Sequence, residues 1–376
     1  MTRVHPIRVP YVRPLFSVIV AVIFAAAPAS AACGDGIVDP GEDCDDGFQN
    51  GGTNSCCTAA CTFSDKSPDV IVGDLVGSVH YAPVGTIHAY SIGTTSCNLG
   101  SCWLNWISSS AEHPVIGQNM FRLKNGRFEQ IGQSWLKHGF NALAGDACAI
   151  CVNPQDGSHL GVNCSDVYDS TLNGVQFRLG PKNDVNPNTG VFLFPDPRES
   201  TTGNSIYKRL QVHETDLNPA LNPGALYFVE GQYVTHDDAA ANNNANNASY
   251  RSATVGASPN FFLTLTGTTQ RGKMGIQAWK ATDPTVTETT TSAAEGIFVL
   301  AARATSLGGG VYHYEYAVQN FTNDRAGRSF SVPIPAGTTV TNAGFHDVDY
   351  HSSVAAELYD GTDWTATLSS SSVTWL

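Results

Sequence analysis

From Val70 onward, apolar residues come in short alternating runs rather than in long amphipathic stretches. The segments ALYFVEGQYVT (225–235), NFFLTLTG (260–267), GIFVLAARA (296–304), VYHYEYAVQN (311–320) and SFSVPIPAG (329–337) are rich in aromatic and β-branched side chains. Gly, Pro, Asn and Asp punctuate them, as expected of strands closed by turns. Many short strands with frequent turns predict a sandwich or barrel. The alternation is clearest in 311–318, where Tyr312, Tyr314, Tyr316 and Val318 share one face and Val311, His313, Glu315 and Ala317 the other. A tyrosine face of this kind is expected to be a packed sheet surface. A sugar-stacking platform is the alternative.

Three stretches depart from the strand pattern. In FEQIGQSWLKHGFNAL (128–143), Ile131, Trp135 and Leu136, with Phe140 and Leu143 beyond, recur at helical spacing. This predicts a helix with a buried Ile131/Trp135/Phe140 face and a wet His138 face, although Gly132 and Gly139 weaken it. A second short helix is expected to open at Ser165 or Asp166. The run HDDAAANNNANNAS (236–249) reads as an exposed low-complexity loop, and TDPTVTETTTSAAE (282–295) as an edge strand or linker. The expected fold is therefore mainly β: a sandwich-like large region with one or two short helices, behind a small N-terminal disulfide-stapled module. The segments are a signal peptide (1–31), a cysteine-rich module (32–66), a β-rich region (67–290) and a sandwich-like C-terminal region (291–376). The last two are separable or one unit.

The signal peptide is read from Arg3, Arg8 and Arg13, the apolar run LFSVIVAVIFAA (15–26) and the small residues Ala29-Ser30-Ala31. The apolar run is short for a membrane span, and no later segment is long and apolar enough to be one. A lipid anchor on Cys33 is disfavoured because Ser30 stands where a branched aliphatic residue is usual. Formal charge is −13; loss of the three leader arginines takes Lys+Arg from 20 to 17 against 33 acids, or −16. Such a chain is a poor partner for nucleic acid or an anionic membrane. It suits an exported protein at the cell surface or outside the cell.

All ten cysteines lie between Cys33 and Cys164, in two sets of five: Cys33, Cys44, Cys56, Cys57, Cys61, then Cys97, Cys102, Cys148, Cys151, Cys164. Export favours disulfides, and two odd sets predict five bridges with one joining the sets. The pairing does not follow from the sequence. Cys148, Cys151, His159 and Cys164 also form a series with zinc-ligand chemistry, a reading that export disfavours.

The run CGDGIVDPGEDCDDG followed by NSCCTAAC resembles the Myxococcus cysteine-rich repeat. Cys33, Gly34, Asp35, Gly36, Gly41, Glu42, Cys44, Asp45, Asp46, Gly47, Cys57 and Cys61 carry the match, and Phe48 stands where Asn is usual. The resemblance implies an extracellular accessory module and no activity. Asp35, Asp39, Glu42, Asp45 and Asp46 offer oxygens to calcium, but small stapled modules show polar residues in any case. The stretches AYSIGTTSCN, HPVIGQNMFRLKNGRFEQIGQSWLKHGF, GALYFVEGQYVT and GFHDVDYHS are similar to exported bacterial proteins of unknown function, which implies one integrated unit and no substrate.

Candidate chemistry is sparse. In GFHDVDYHSS (344–353), a continuous strand would put Asp347, Asp349 and His351 on one face as ligands for calcium or a transition metal, with His346 on the other. His213 and His236 are further ligands if they converge there. For acid–base work, Glu129 and His138 are the candidates, with Arg127 and Lys137 alongside. Ser134 and His138 would be neighbours on one helical face. No phosphate loop, HExxH or complete nucleophile elbow is present. Two function classes follow: an exported binding or surface-associated protein for polysaccharide or envelope material, and an exported hydrolase-like enzyme using a His/Asp metal site.

Overall fold

The computed structural model describes residues 33–293, 295–349 and 362–376. The segment 1–31, expected to be a signal peptide, and His351 lie outside the described residues. The fold is mainly β, with four short α-helices among the described residues.

Eight strands form the main path. These are β1 (Val70–Val84), β2 (Ile87–Asn98), β3 (Val115–Lys124), β4 (Arg127–Gln133), β6 (Leu210–His213), β7 (Leu226–Val234), β8 (Ala248–Val255) and β9 (Leu263–Gln270), and β5 (Leu136–His138) pairs with β3 off the path. The order is β1-β2-β6-β4-β3-β7-β8-β9, and every neighbouring pair is antiparallel. The two ends of the path return to each other. Leu75 N donates to Thr269 Oγ1 at 3.0 Å, and Ser78 Oγ to Leu263 O at 2.6 Å. The sheet is thus nearly a barrel. Its interior holds Tyr90, Ile92, Leu104, Trp106, Met120, Tyr168, Val229 and Tyr233.

A second core covers the outside of the same strands. Alternation along β3 and β7 sends Met120 and Val229 inward and Phe121 and Phe228 outward. The outward set packs with Trp279 of helix α4 (Gln277–Thr282) and with Val299, Ala301 and Phe321. Each large side chain so buried contributes about 1.5–3 kcal/mol. Val299 and Ala301 belong to a three-stranded antiparallel sheet, β10 (Thr287–Ala293), β11 (Gly296–Gly308) and β12 (Val311–Asn320), with β11 central. Residue 290 lies inside β10. Three last strands, β13 (Phe330–Pro333), β14 (Ala366–Leu368) and β15 (Ser372–Trp375), form a small sheet with β15 central.

A buried carboxylate ties the second layer to the first. Glu230 of β7 accepts from Asn119 Nδ2 (2.7 Å) on β3, Gly275 N (2.5 Å) ahead of α4, and Gln319 Nε2 (2.9 Å) on β12. Lys182 Nζ donates to the same Asn119 through Oδ1 at 3.0 Å.

The helix expected over 128–143 is instead β4, β5 and irregular chain. The overlooked signal is Asn125-Gly126, whose φ values of 52° and 83° suit a two-residue hairpin turn. It folds β4 back on β3, with Lys124 opposite Arg127. At Gly132 a Cβ would lie 2.5 Å from Gln211 O on β6, so only glycine lets the strands meet there. Ile131 and Trp135 are buried as expected. Ser165–Tyr168 is a strand on β2, and the short helix α1 (Ser170–Asn173) follows it, capped by Asp169, which accepts from Leu172 N. The expected exposed loop at 236 opens with helix α3 (His236–Ala240), which follows α2 (Glu214–Leu217) in the chain. Asp238 of α3 is fully buried; it accepts from Val70 N (2.9 Å) and Asn247 Nδ2 (2.8 Å).

All ten cysteines are paired: Cys33–Cys61, Cys44–Cys57, Cys56–Cys102, Cys97–Cys148 and Cys151–Cys164. Cys56–Cys102 is the bridge from the module to the large region. Cys33 is bonded to Cys61 and so is not free to carry a lipid. Cys148, Cys151 and Cys164 are likewise spent, which removes the zinc reading. No helix among the described residues is long and apolar enough to cross a membrane.

Two outcomes follow from this architecture. Thiol titration of the denatured, unreduced protein finds no reactive cysteine; two thiols per chain would contradict the pairing. Glu230→Ala leaves the donors on Asn119, Gln319 and Gly275 without their acceptor, at about 1–3 kcal/mol for each buried group. Denaturant unfolding should show a loss of several kcal/mol, and a loss within the range of a surface change would contradict the role given to Glu230.

Candidate functional site

The tyrosine face of β12 is open. Tyr312 and Tyr314 are 55% and 54% exposed, so the packed-surface expectation fails. The reason lies in the register. The cross-strand partners of Tyr312, Tyr314 and Tyr316 are Ser306, Ala304 and Ala302. These small neighbours stand no higher than the backbone needs, and among the described residues Tyr312 and Tyr314 are left more than half exposed. Successive rings along the strand are 6.3 Å apart, and Tyr314 and Tyr316 lie within 8° of parallel. The row continues through Phe330 (5.5 Å from Tyr316) to Trp375 (5.9 Å from Phe330). The polar face of the same hairpin is turned toward the main sheet. Arg303 Nε donates to Asp283 Oδ2 at 2.6 Å, and Glu315 pairs with Arg127 at 3.7 Å and with His313 at 2.8 Å. Five aromatic rings in file, with ion pairs behind the hairpin, make an apolar strip with phenol hydroxyls along it; the rings are tilted to one another except at Tyr314–Tyr316.

A second group of residues surrounds His138. His138 is buried, not wet, and its Nδ1 is 2.8 Å from His113 Nε2. Phe192 and Phe194 pack on both imidazoles. Burial drives His113 down to about 4 and His138 to about 3, so both are neutral near pH 7 and one donates to the other. Lys137 is lowered to about 7 by burial and by Arg178. Burial also lowers Lys208, to about 8, but its Nζ donates to the carbonyls of Gln176, Arg198, Glu199 and Thr201, a structural anchor. Glu199, raised by burial, is 4.0 Å from His138 Nδ1 and borders a cleft of about 510 Å³ with Phe177, Arg178, Pro195, Asp196, Pro197 and Ser200. His138 does not line that cleft.

The other candidates are dispersed. Glu129 binds Arg122 (2.6 Å) and Arg127 (2.9 Å), an ion-pair network that does not include His138. Ser134 Oγ donates to Trp135 O and accepts from Gln118 N, so its pairing with His138 falls with the helix. His213 has both ring nitrogens engaged, with Thr215 Oγ1 at 2.7 Å and Thr86 Oγ1 at 2.8 Å. Residues 341–349 are irregular rather than strand, so the alternation that grouped Asp347 with Asp349 has no basis. His346 and Asp349, the pair that parity separated from each other, instead join His213 and Asp216 around a cavity of about 10 Å³, the space of one water. Burial and Asp363 raise Asp347. In the module, Asp45 accepts from the amides of Gly34, Asp35, Gly36 and Gly47 and from Asn50. Burial pushes its carboxyl up, but these donors outweigh it and hold the group below the usual range. Its oxygens are thus committed to the backbone. His236 belongs to a separate group with Glu112 and Asp237.

The buried histidine pair has a pH signature. A histidine whose folded pKa is depressed binds its proton only in the unfolded chain between about 3 and 6.5, so its contribution to stability is lost as pH falls through that window. One such proton is worth up to about 1.4 kcal/mol per pH unit. Chemical unfolding from pH 6 to pH 4 should show a shallower loss for His138→Gln than for the unchanged protein. Equal slopes would mean that His138 is protonated in the folded state.

No family model matches the chain, no curated protein matches it, and no solved structure matches it. The functional reading therefore rests on the geometry of this chain alone.

Proposed function

We propose that this is an exported binding protein for extracellular polysaccharide, and that the row Tyr312–Tyr314–Tyr316–Phe330–Trp375 is its contact surface. The observation that carries the reading is the exposure of Tyr312 and Tyr314 in a file of regularly spaced rings. Aromatic side chains are ordinarily spent on the core, and a projecting strip of them is an interaction surface. Pyranose rings offer apolar C–H faces to stack on such a strip, while their hydroxyls reach the phenol oxygens and solvent. The strand's alternation, about 6.8 Å per two residues, sets the ring spacing and lets one extended glycan contact several rings in turn. An acidic chain would disfavour strongly anionic glycans, so the reading is for neutral ones. The five disulfides and the absence of a membrane-crossing helix among the described residues are compatible with work outside the cell.

Affinity electrophoresis against a panel of neutral β- and α-linked glucans, mannans, xylans and chitin oligomers tests this. The protein should be retarded by at least one. Tyr312→Ala and Tyr314→Ala should each weaken binding about fivefold, the worth of roughly 1 kcal/mol of aromatic contact. Because both rings are exposed, their removal should leave stability within about 0.5 kcal/mol. Retardation by no glycan, or equal retardation of the double variant, would overturn the reading.

A further inference from the structure

A cluster outside the aromatic row, the His113–His138 pair and the Glu199 cleft has metal-ligand chemistry. Glu112 precedes β3, and His236 and Asp237 open α3. A ligand atom from each of the three lies within 4.8 Å of the others. Tetrahedral ligands bound to one ion at about 2.0–2.2 Å stand about 3.3–3.6 Å apart, so the three side chains would have to draw together on an ion.

The surroundings are arranged as if a partner were needed. Asp237 is buried. One of its oxygens accepts from Asn105 N at 2.8 Å, and the other accepts no hydrogen bond among the described residues. Glu112 Oε2 is buried without a hydrogen-bond partner. Two flanking oxygens share that condition: Oδ1 of Asn105, a residue 4% exposed, and Oγ1 of Thr235, a residue 3% exposed and next to His236. No Lys or Arg among the described residues forms an ion pair with Glu112 or Asp237, whereas such partners serve Glu129, Asp216, Asp184, Asp196 and Asp283. Two carboxylates left together in a buried place repel, and Asp46 of the cysteine-rich module adds a third negative group nearby. Burial first, and then the Glu112 charge, disfavour a second negative charge on Asp237. An oxygen left buried and unpaired costs about 1–3 kcal/mol, more when charged.

We propose that Glu112, His236 and Asp237 form a binding site for a divalent transition-type cation, zinc or manganese, where the cysteine-rich module meets the sheet region. The imidazole selects the class: nitrogen with two carboxylates suits zinc or manganese, whereas calcium takes oxygens alone and wants six or more. The seam position follows from the chain. Asn105 bonds Asp237, and the residue two before it, Trp103, is joined to the module through its N donating to Asn54 O. Cys56–Cys102 fixes the same contact covalently. A bound cation would therefore order the junction as well as the site.

The test uses the full mature chain, stripped with a chelator and titrated separately with zinc, manganese and calcium by calorimetry and thermal unfolding. One equivalent of zinc or manganese should bind and raise the Tm, and calcium should do neither. Glu112→Gln keeps the shape of the side chain and removes a repelling charge, so the ion-free variant should be folded and at least as stable as the parent, yet the metal-dependent Tm shift should vanish. His236→Gln should lose the shift as well. Failure of both transition metals to bind, calcium binding as tightly as zinc, or a Tm shift undiminished in the Glu112→Gln/His236→Gln double variant would each overturn the assignment. Glycan binding by the aromatic row is read separately and does not bear on this result.

Discussion

The carboxylate of Glu230 sets the direction of everything carried on the second layer. It sits on β7, between β3 and β8, and takes hydrogen bonds from β3, from the turn ahead of α4 and from β12. A buried charged acceptor with three donors is worth more than the same number of neutral bonds, and it is costly to leave half-satisfied. The apolar pairs around it, Phe121, Phe228, Trp279 and Val299 among them, supply adhesion without a preferred rotation. Glu230 supplies the rotation: Gln319 reaches it only when β12 crosses the sheet in one orientation. That orientation decides which face of β12 looks outward.

The aromatic strip then follows from length. The second core grips β11 at Val299 and Ala301 and ends there, but β11 runs to Gly308 and β12 begins at Val311. Among the described residues, the apolar core therefore does not reach the outer half of this hairpin. Arg303–Asp283 and Arg127–Glu315 hold its polar face at the point of departure. Three glycines with left-handed φ, Gly308, Gly309 and Gly310, close the tip. A projecting hairpin with tyrosines over alanines is a poor solution for stability, since it leaves large rings in water. It is a good solution for binding, because two-torsion aromatic side chains lose little freedom when a ligand lies on them.

Much of the fold was legible because alternation is local. The strands β7, β11 and β12 stand where the period-two runs put them, and the odd cysteine sets called for one bridge between them, whose identity, Cys56–Cys102, only the fold supplies. The helix over 128–143 was misread because Ile131 and Trp135 are buried on strand and on irregular chain, at a spacing that mimics a helical turn. The turn at Asn125-Gly126 was the stronger signal. Exposure was not legible. The tyrosine stripe of β12 has the same alternation as a core strand, and only the place where the neighbouring layer stops distinguishes the two. The groups at His138 and Glu112 were illegible for a related reason: His113 meets His138, and Glu112 meets Asp237, across sequence separations that no local pattern records. Among the sequence candidates, His138 and His236 fall within buried polar groups, while Glu129 and His213 are spent on ion pairs and threonine hydroxyls.

If the ring file is the surface that meets a ligand, its tyrosines report the contact directly. Solution NMR of protein carrying labelled tyrosine, titrated with neutral oligosaccharides, reads each ring separately. The ring signals of Tyr312, Tyr314 and Tyr316 should shift together, while those of the buried Tyr90, Tyr168 and Tyr233 stay fixed. Shifts confined to residues elsewhere, such as Phe177 and Arg178 at the cleft, or no shift with any glycan, would contradict it.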